Sequence, residues 1–350
     1  MDLLKIENVD VISMSKILFL SNGYGEDTIA YYIAKKFPED LKNRIEFFPL
    51  VTEGKVFEEF KIVGPVKVFP SRGISGFLNF SNFLKDVREG LIKHIINQIN
   101  FVKKIDKDYF FVAVGDIYPL LVLYFGGKIN KTFFVATAKS IKTEFFNFFE
   151  ISIMKKVIAN FVRDEKTYVF LKKFLDNVYF LGNPVLDIPY FEYEGDISEN
   201  NIIILPGRVN NCLDNLIKIK DSVKELVRLG FEFTVIVPNF YPVKDIKNLL
   251  DGIERIRIVD SIYYGFFLRN SFCVWGFGGS ANEQAAGYGL PVISLNQKDW
   301  YRNRQKKLLG EALILVDEVE GFIEKTLKLK KDKVYYDFVS MRGKEEMGKL

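Results

Sequence analysis

The sequence predicts an α/β protein of two doubly wound domains, and three observations carry that prediction. Short β-branched and aromatic runs alternate with amphipathic stretches, as in parallel strands joined by crossover helices. The pattern pauses at an acidic, turn-rich segment, residues 190–201, and then restarts. The chain has 350 residues, more than one ordinary domain, and 48% hydrophobic content supplies apolar side chains for two cores.

The first domain, 1–185, opens on a strand at 16–22, a loop at 23–26 and a helix at 27–37 with apolar positions at helical spacing. Further strands are expected at 45–50, 67–69, 110–114, 132–136, 159–162 and 178–181, the last broken by Gly182-Asn183-Pro184. The second domain, 186–350, places strands at 202–205, 233–237, 256–259, 273–275, 291–295 and 312–315. Its last helix is a candidate to pack back on the first domain. Two such sheets facing each other are expected to leave a cleft at the carboxyl ends of their strands, where ligands of these folds bind. The most apolar run, 109–127, contains Gly115, Asp116 and Pro119, so it reads as strand, turn and helix rather than a membrane span.

Composition narrows the chemistry. A net charge of +4 implies no large basic field, and no nucleic-acid partner is expected. Cys212 and Cys273 are the only cysteines and match neither a disulfide framework nor a zinc-ligand spacing, which fits a reducing cytoplasm. His94 is the only histidine, which removes Ser/His/Asp triads, Cys/His dyads and most zinc hydrolase schemes. No metal site is expected, and a general base is a carboxylate or, less readily, a lysine or tyrosine. The N-terminus carries no secretory signal pattern.

The sharpest motif is Trp275-Gly276-Phe277-Gly278-Gly279-Ser280-Ala281-Asn282-Glu283-Gln284, after a strand and opening an alanine-rich helix. Glycines let the backbone approach a phosphate, Ser280 can donate or cap, and a helix N-terminus presents free N–H groups to an anion. Glu283 can accept both hydroxyls of a ribose. The competing reading is a tight turn whose glycines only permit packing. The matching loop Ser21-Asn22-Gly23-Tyr24-Gly25-Glu26-Asp27 lacks a third glycine, and its two acids would repel a diphosphate. It suits a sugar hydroxyl or an acceptor, or Asp27 is simply a helix N-cap.

Asp116, at the end of the strand 110–114, is a candidate general base whose pKa desolvation would raise; the alternative is a cap for the helix that follows. Lys139-Ser140 and Arg163-Asp164-Glu165 add polar groups at strand ends. In Pro206-Gly207-Arg208 the arginine can reach a pyrophosphate, or lie on the surface. Asp106-Lys107-Asp108 has an Asp-x-Asp spacing but sits on a charged connector and reads as solvated. Residues 67–93 mix Phe69, Phe77, Phe80 and Phe83 with Arg72, Lys85, Arg88 and Lys93, which suits an anionic lipid surface or, equally, ordinary core packing. His94 packs beside them.

These residues, in this order, resemble lipid-A-disaccharide synthase, and more closely the group of lipid-A-disaccharide synthase-related proteins. Residues 21–27 are similar to that group's Ser-Asn-Gly-His-Gly-Glu-Asp. Val114-Gly115-Asp116, Thr137-Ala138-Lys139-Ser140, Gly182-Asn183-Pro184-Val185-Leu186-Asp187 and Leu205-Pro206-Gly207 follow in register, then 279–285 and Gln305-Lys306-Lys307-Leu308-Leu309-Gly310. The resemblance spans nearly the whole chain. It implies a GT-B type, inverting glycosyltransferase that uses a UDP-sugar as substrate without metal; no cofactor is expected, the expected acceptor is lipid-linked or membrane-associated, and the expected location is the cytoplasm, with the inner face of the cell membrane as a peripheral site. By carry-over Asp116 falls in the catalytic carboxylate region, with Glu26 and Asp27 next, and Glu283 is the ribose-binding acid. Gly207, Arg208, Gly278, Gly279, Ser280, Ala281, Asn282, Gln284, Asn303 and Gln305 are donor-side candidates, and Asn22, Gly23, Gly25, Lys139 and Ser140 acceptor-side ones. Three departures stand out: Pro-Gly-Ser-Arg reads Pro-Gly-Arg-Val here, Asn282 replaces a threonine, and Tyr24 a histidine. A UDP-sugar epimerase on the same fold and a non-catalytic nucleotide-sugar-binding protein are the competing readings.

Overall fold

Strands that are apolar on both faces pair in parallel and need a helical layer on each side, and the central strands of both halves of this chain, such as Lys16–Ser21 and Asn201–Leu205, are of that kind. The computed structural model describes residues 15–57, 59–68, 89–238 and 241–348. The chain divides into two units, Met1–Pro184 and Val185–Leu350. The first runs β1 (Lys16–Ser21), α1 (Tyr24–Lys35), α2 (Glu39–Lys42), β2 (Ile45–Pro49), β3 (Lys61–Ile62), α3 (Leu91–Lys104), β4 (Tyr109–Val114), α4 (Ile117–Phe125), β5 (Thr132–Ala136), α5 (Phe148–Met154), β6 (Ala159–Val162), α6 (Glu165–Leu171) and β7 (Val178–Tyr179). Its parallel sheet has the order β3-β2-β1-β4-β5-β6-β7. Along β1, Leu18 and Leu20 enter one core and Ile17 and Phe19 the other, the period-two alternation of a strand with a layer on each face.

The second unit runs β8 (Asn201–Leu205), α7 (Cys212–Arg228), β9 (Glu232–Val237), α8 (Val243–Leu250), β10 (Ile256–Asp260), α9 (Tyr264–Arg269), β11 (Cys273–Gly276), α10 (Ser280–Gly287), β12 (Val292–Leu295), α11 (Trp300–Leu309), β13 (Leu313–Val316), α12 (Glu320–Lys331) and α13 (Lys333–Met347). The sheet order is β10-β9-β8-β11-β12-β13, again parallel. The last helix buries Val339 in one core of this unit and Met347 in the other. Each sheet reverses its winding once, between β1 and β4 and between β8 and β11. Those are the switch points outside which ligands of doubly wound sheets bind.

Three expectations change. The third strand lies at Lys61–Ile62, not 67–69, and both its residues are exposed, so no apolar pattern marks it. The first helix begins at Tyr24, so Gly25, Glu26 and Asp27 form its first turn rather than a loop, with Gly23 as N-cap. Asp27 is therefore not a cap. The basic and aromatic residues 69–88, on which the lipid-surface expectation mainly rests, lie outside the described residues. Among the described residues no helix is long and apolar enough to cross a membrane; the run 109–127 is β4, a turn and α4.

Candidate functional site

At the switch point of the second unit, β8 and β11 are paired with Gly276 beside Leu205, and each releases a turn at its carboxyl end. Gly207 follows β8 at φ +86°, a left-handed backbone that favours glycine. A Cβ there would stand 3.0 Å from the Phe277 carbonyl oxygen, so the two turns touch. Their carbonyls are held by side chains. Asn215 Nδ2 donates to Pro206 O at 3.0 Å and the Tyr241 hydroxyl to Gly207 O at 2.5 Å. Asn282 Nδ2 donates to Gly276 O at 3.3 Å, and the Ser294 hydroxyl to the same oxygen. Gln305 Nε2 donates to Gly278 O at 3.2 Å and Gly279 O at 3.0 Å.

The consequence is polarity. With those carbonyls engaged, the N–H groups of Gly278, Gly279, Ser280, Ala281 and Asn282 have no protein partner among the described residues. They form a row of donors running into the N-terminus of the eight-residue α10, whose N-cap Gly279 offers no side-chain cap. Such a row suits an anion. Ser280 is the first helical residue, so it does not cap, and its exposed side chain is free to donate. Glu283 is buried in the first turn; burial, and after it the nearby Glu283 charge, push the Tyr301 phenol up.

Other donor-side candidates have different work. Gln284 Nε2 donates to Val185 O at 3.0 Å, tying α10 to the start of the unit. The Ala281 carbonyl accepts from the Tyr264 hydroxyl at 2.6 Å. Asn303 is exposed on α11 with no side-chain hydrogen bond among the described residues. Arg208 is exposed, with its guanidinium carbon 6.0 Å from the Tyr301 ring centre.

Sequence reasoning missed Tyr301 and Arg302. They precede Gln305 by four and three residues, so helical spacing puts them on its face, which was the available signal. The Tyr301 hydroxyl occupies the space of a Cβ at Gly279, 1.7 Å from where that atom would be. Arg302 is 1% exposed.

In the first unit, Asn22 and Gly23 leave β1 while Gly115 and Asp116 leave β4, flanking the other switch point. Asn22 Oδ1 is sealed without a partner and lies 1.8 Å from where a Cβ on Gly115 would stand; Gly115 has φ +134°. The Glu26 carboxylate lies over Gly23, whereas Gly25 has open space around it. Asp116 Oδ1 accepts from Tyr118 N at 2.8 Å, capping α4. Burial holds its pKa above the usual carboxylate range against that bond. Asp27 accepts from the Ser21 hydroxyl at 2.5 Å and from Thr52, and burial raises its pKa to about 6.

Two acceptor-side candidates belong to the scaffold. Ser140 is fully buried, its Oγ accepting from Lys142 N at 3.2 Å beside Thr167. Lys139 grips both oxygens of Glu150 at 2.8 Å and lies 4.9 Å from the Phe146 ring centre. Arg163 Nη1 donates to Thr137 O and Asp164 caps α6. His94 is buried against Gln98, which bonds Leu50 O and the Tyr118 hydroxyl, and burial lowers its pKa. Among the described residues no three His, Cys, Asp or Glu side chains cluster as metal ligands.

No family model and no curated protein matches the chain. Solved structures do. A protein of Listeria monocytogenes described as a UDP-N-acetylglucosamine 2-epimerase is 18% identical, with 96% of this chain and 93% of that one covered at a TM-score of 0.63. The UDP-GlcNAc 2-epimerase from Neisseria meningitidis bound to UDP-GlcNAc is 14% identical over 95% and 96%, with a TM-score of 0.58. The calicheamicin glycosyltransferase CalG4 is 11% identical over 95% and 94%, with a TM-score of 0.63. At these identities the likeness is one of architecture: two parallel-sheet, Rossmann-like units in one chain, the GT-B fold.

Proposed function

We propose that this chain binds a UDP-sugar at the switch point of its second unit and transfers the sugar, with inversion and without metal, to a lipid-linked hydroxyl. The observation that supports nucleotide binding is the turn 276–279, whose inward carbonyls leave a row of unpartnered N–H donors at a helix N-terminus. Neighbours on the same fold bind or act on UDP-sugars. In the transfer, the acceptor oxygen forms a bond to the anomeric carbon as the bond to the diphosphate breaks. Asp116 takes the acceptor proton; the N–H row and Arg208 receive the charge of the departing diphosphate. Glu283 holds the ribose. The motif resemblance to lipid-A-disaccharide synthase-related proteins suggests a lipid-borne acceptor, and Phe145, Phe148 and Phe149, exposed by 81%, 88% and 51% beyond the end of β5, supply an apolar surface for one.

A second reading is a UDP-sugar epimerase. Two carboxyls with raised pKa, Asp27 and Asp116, follow the adjacent strands β1 and β4, and an epimerase needs an acid and a base. One experiment separates the readings: incubation in deuterated water with a panel of UDP-sugars, with and without total membrane lipid, read by mass spectrometry. Transfer makes a glycolipid and releases UDP only when lipid is present. Epimerisation places deuterium in the sugar without lipid. UDP binding with neither product selects a non-catalytic binding protein.

Asp116→Asn should lower transfer by roughly 10²–10⁴ with UDP affinity near wild type; retention of most turnover removes Asp116 as the base. Calorimetry should give equal UDP affinity with and without chelator, and Glu283→Ala should weaken binding by about 1–3 kcal/mol.

A further inference from the structure

Arg302 is a buried cation with almost nothing to bond. It is 1% exposed, and its Nε is sealed from solvent with no partner. Of the five N–H donors of a guanidinium, one is used among the described residues, Nη1 to Gln305 Oε1 at 2.5 Å. No carboxylate forms an ion pair with it among the described residues. Asp299, whose charge does act on it, spends its Oδ1 on the Arg302 backbone N–H at 2.7 Å as the exposed N-cap of α11. A guanidinium stays charged, and a buried charge without a counter-ion is costly to the fold. Asn282, fully buried, donates to the same Gln305 Oε1 and so adds no negative charge beside the cation.

The position of that cation relates it to the turn. Gln305 accepts from Arg302 and Asn282 through Oε1 and donates to the Gly278 and Gly279 carbonyls through Nε2. One side chain therefore joins the cation to the backbone whose N–H groups are without a partner among the described residues. Arg208, which also acts on Tyr301, is exposed, so water and salt screen its charge, whereas a cation in the interior is screened little.

Resting on the nucleotide reading above, we propose that Arg302 is the buried countercharge of an anion bound at the β11–α10 turn, a positioning residue that acts on a diphosphate through Gln305 and its field without touching it. The ligand then supplies the negative charge that the protein omits, and selectivity at the turn is for charge. Uridine, UMP and UDP form a probe series of rising charge.

Calorimetry of that series with wild type, Arg302→Gln and Arg302→Lys tests the assignment. Wild type should bind progressively tighter from uridine to UDP. Arg302→Gln should lose about 10- to 100-fold for UDP, less for UMP and less than about two-fold for uridine. Arg302→Lys should keep most of the rise. Equal losses for all three ligands in Arg302→Gln would mean that the side chain only braces the turn, and overturn the inference while leaving nucleotide binding intact. If Arg302→Gln does not fold, a flat series in Arg302→Lys overturns it. Absence of binding by wild type would end the nucleotide reading and this inference together.

Discussion

A carboxylate with 2% exposure keeps its proton longer than a surface aspartate does, and at Asp27 burial outweighs the two hydroxyls that donate to the charged form. Its pKa of about 6 stands above the ordinary 3.8, so the proton it binds stabilises the folded state. That stabilisation is full below about pH 3.8 and is lost as pH rises through 6, on the order of 3 kcal/mol in total. Urea unfolding of wild type should therefore show about 1 kcal/mol more stability at pH 5 than at pH 7.5 from this group, a difference that Asp27→Asn removes. An unchanged difference in the variant would assign it to other groups. Asp27 and Asp116 were both visible in the sequence as acids near strand ends. The partners that decide their roles, Thr52 and Tyr118, were not, because only folding brings them there. The spacing of Arg302 from Gln305 was legible, but its burial was not, because an arginine in a polar-looking helix gives no sign of it.

At the scale of elements, strand and helix order followed from hydrophobic period, since parallel strands buried on both faces read as continuous apolar runs. The exception, β3, has two exposed residues and no such run. The start of α1 was misread because Gly23 and Gly25 are turn residues by type, while Glu26 and Asp27 favour a helix N-terminus. The turn before α10 was legible as glycine-rich, but not why Gly279 is required. A Cβ there would stand 1.7 Å from the Tyr301 oxygen. Gly279→Ala should weaken UDP binding at least ten-fold by displacing Tyr301 or the turn, and Gly279→Ala with Tyr301→Phe should recover part of it by removing the colliding oxygen. Equal affinity of the single and double variants would show that the hydroxyl is not the obstacle.

At the scale of the molecule, three exposed phenylalanines cluster among the described residues. Phe145, Phe148 and Phe149 fall within five residues, beyond the carboxyl end of β5. If they meet the acyl chains of an acceptor, Phe148→Ser with Phe149→Ser should lower turnover on lipid-borne acceptors about ten-fold or more, about 2 kcal/mol of lost burial, and leave UDP affinity unchanged. An equal fall with a water-soluble acceptor would indicate damage to the unit instead. The turns of the second unit have a kinetic consequence as well. Because Asn215, Tyr241, Asn282, Ser294 and Gln305 already hold the carbonyls at 206, 207, 276, 278 and 279, the peptide dipoles are oriented during folding rather than on encounter. Little loop entropy is lost when a ligand arrives, so association should be fast and nearly the same for tight and weak nucleotides, and differences in affinity should appear as differences in residence time.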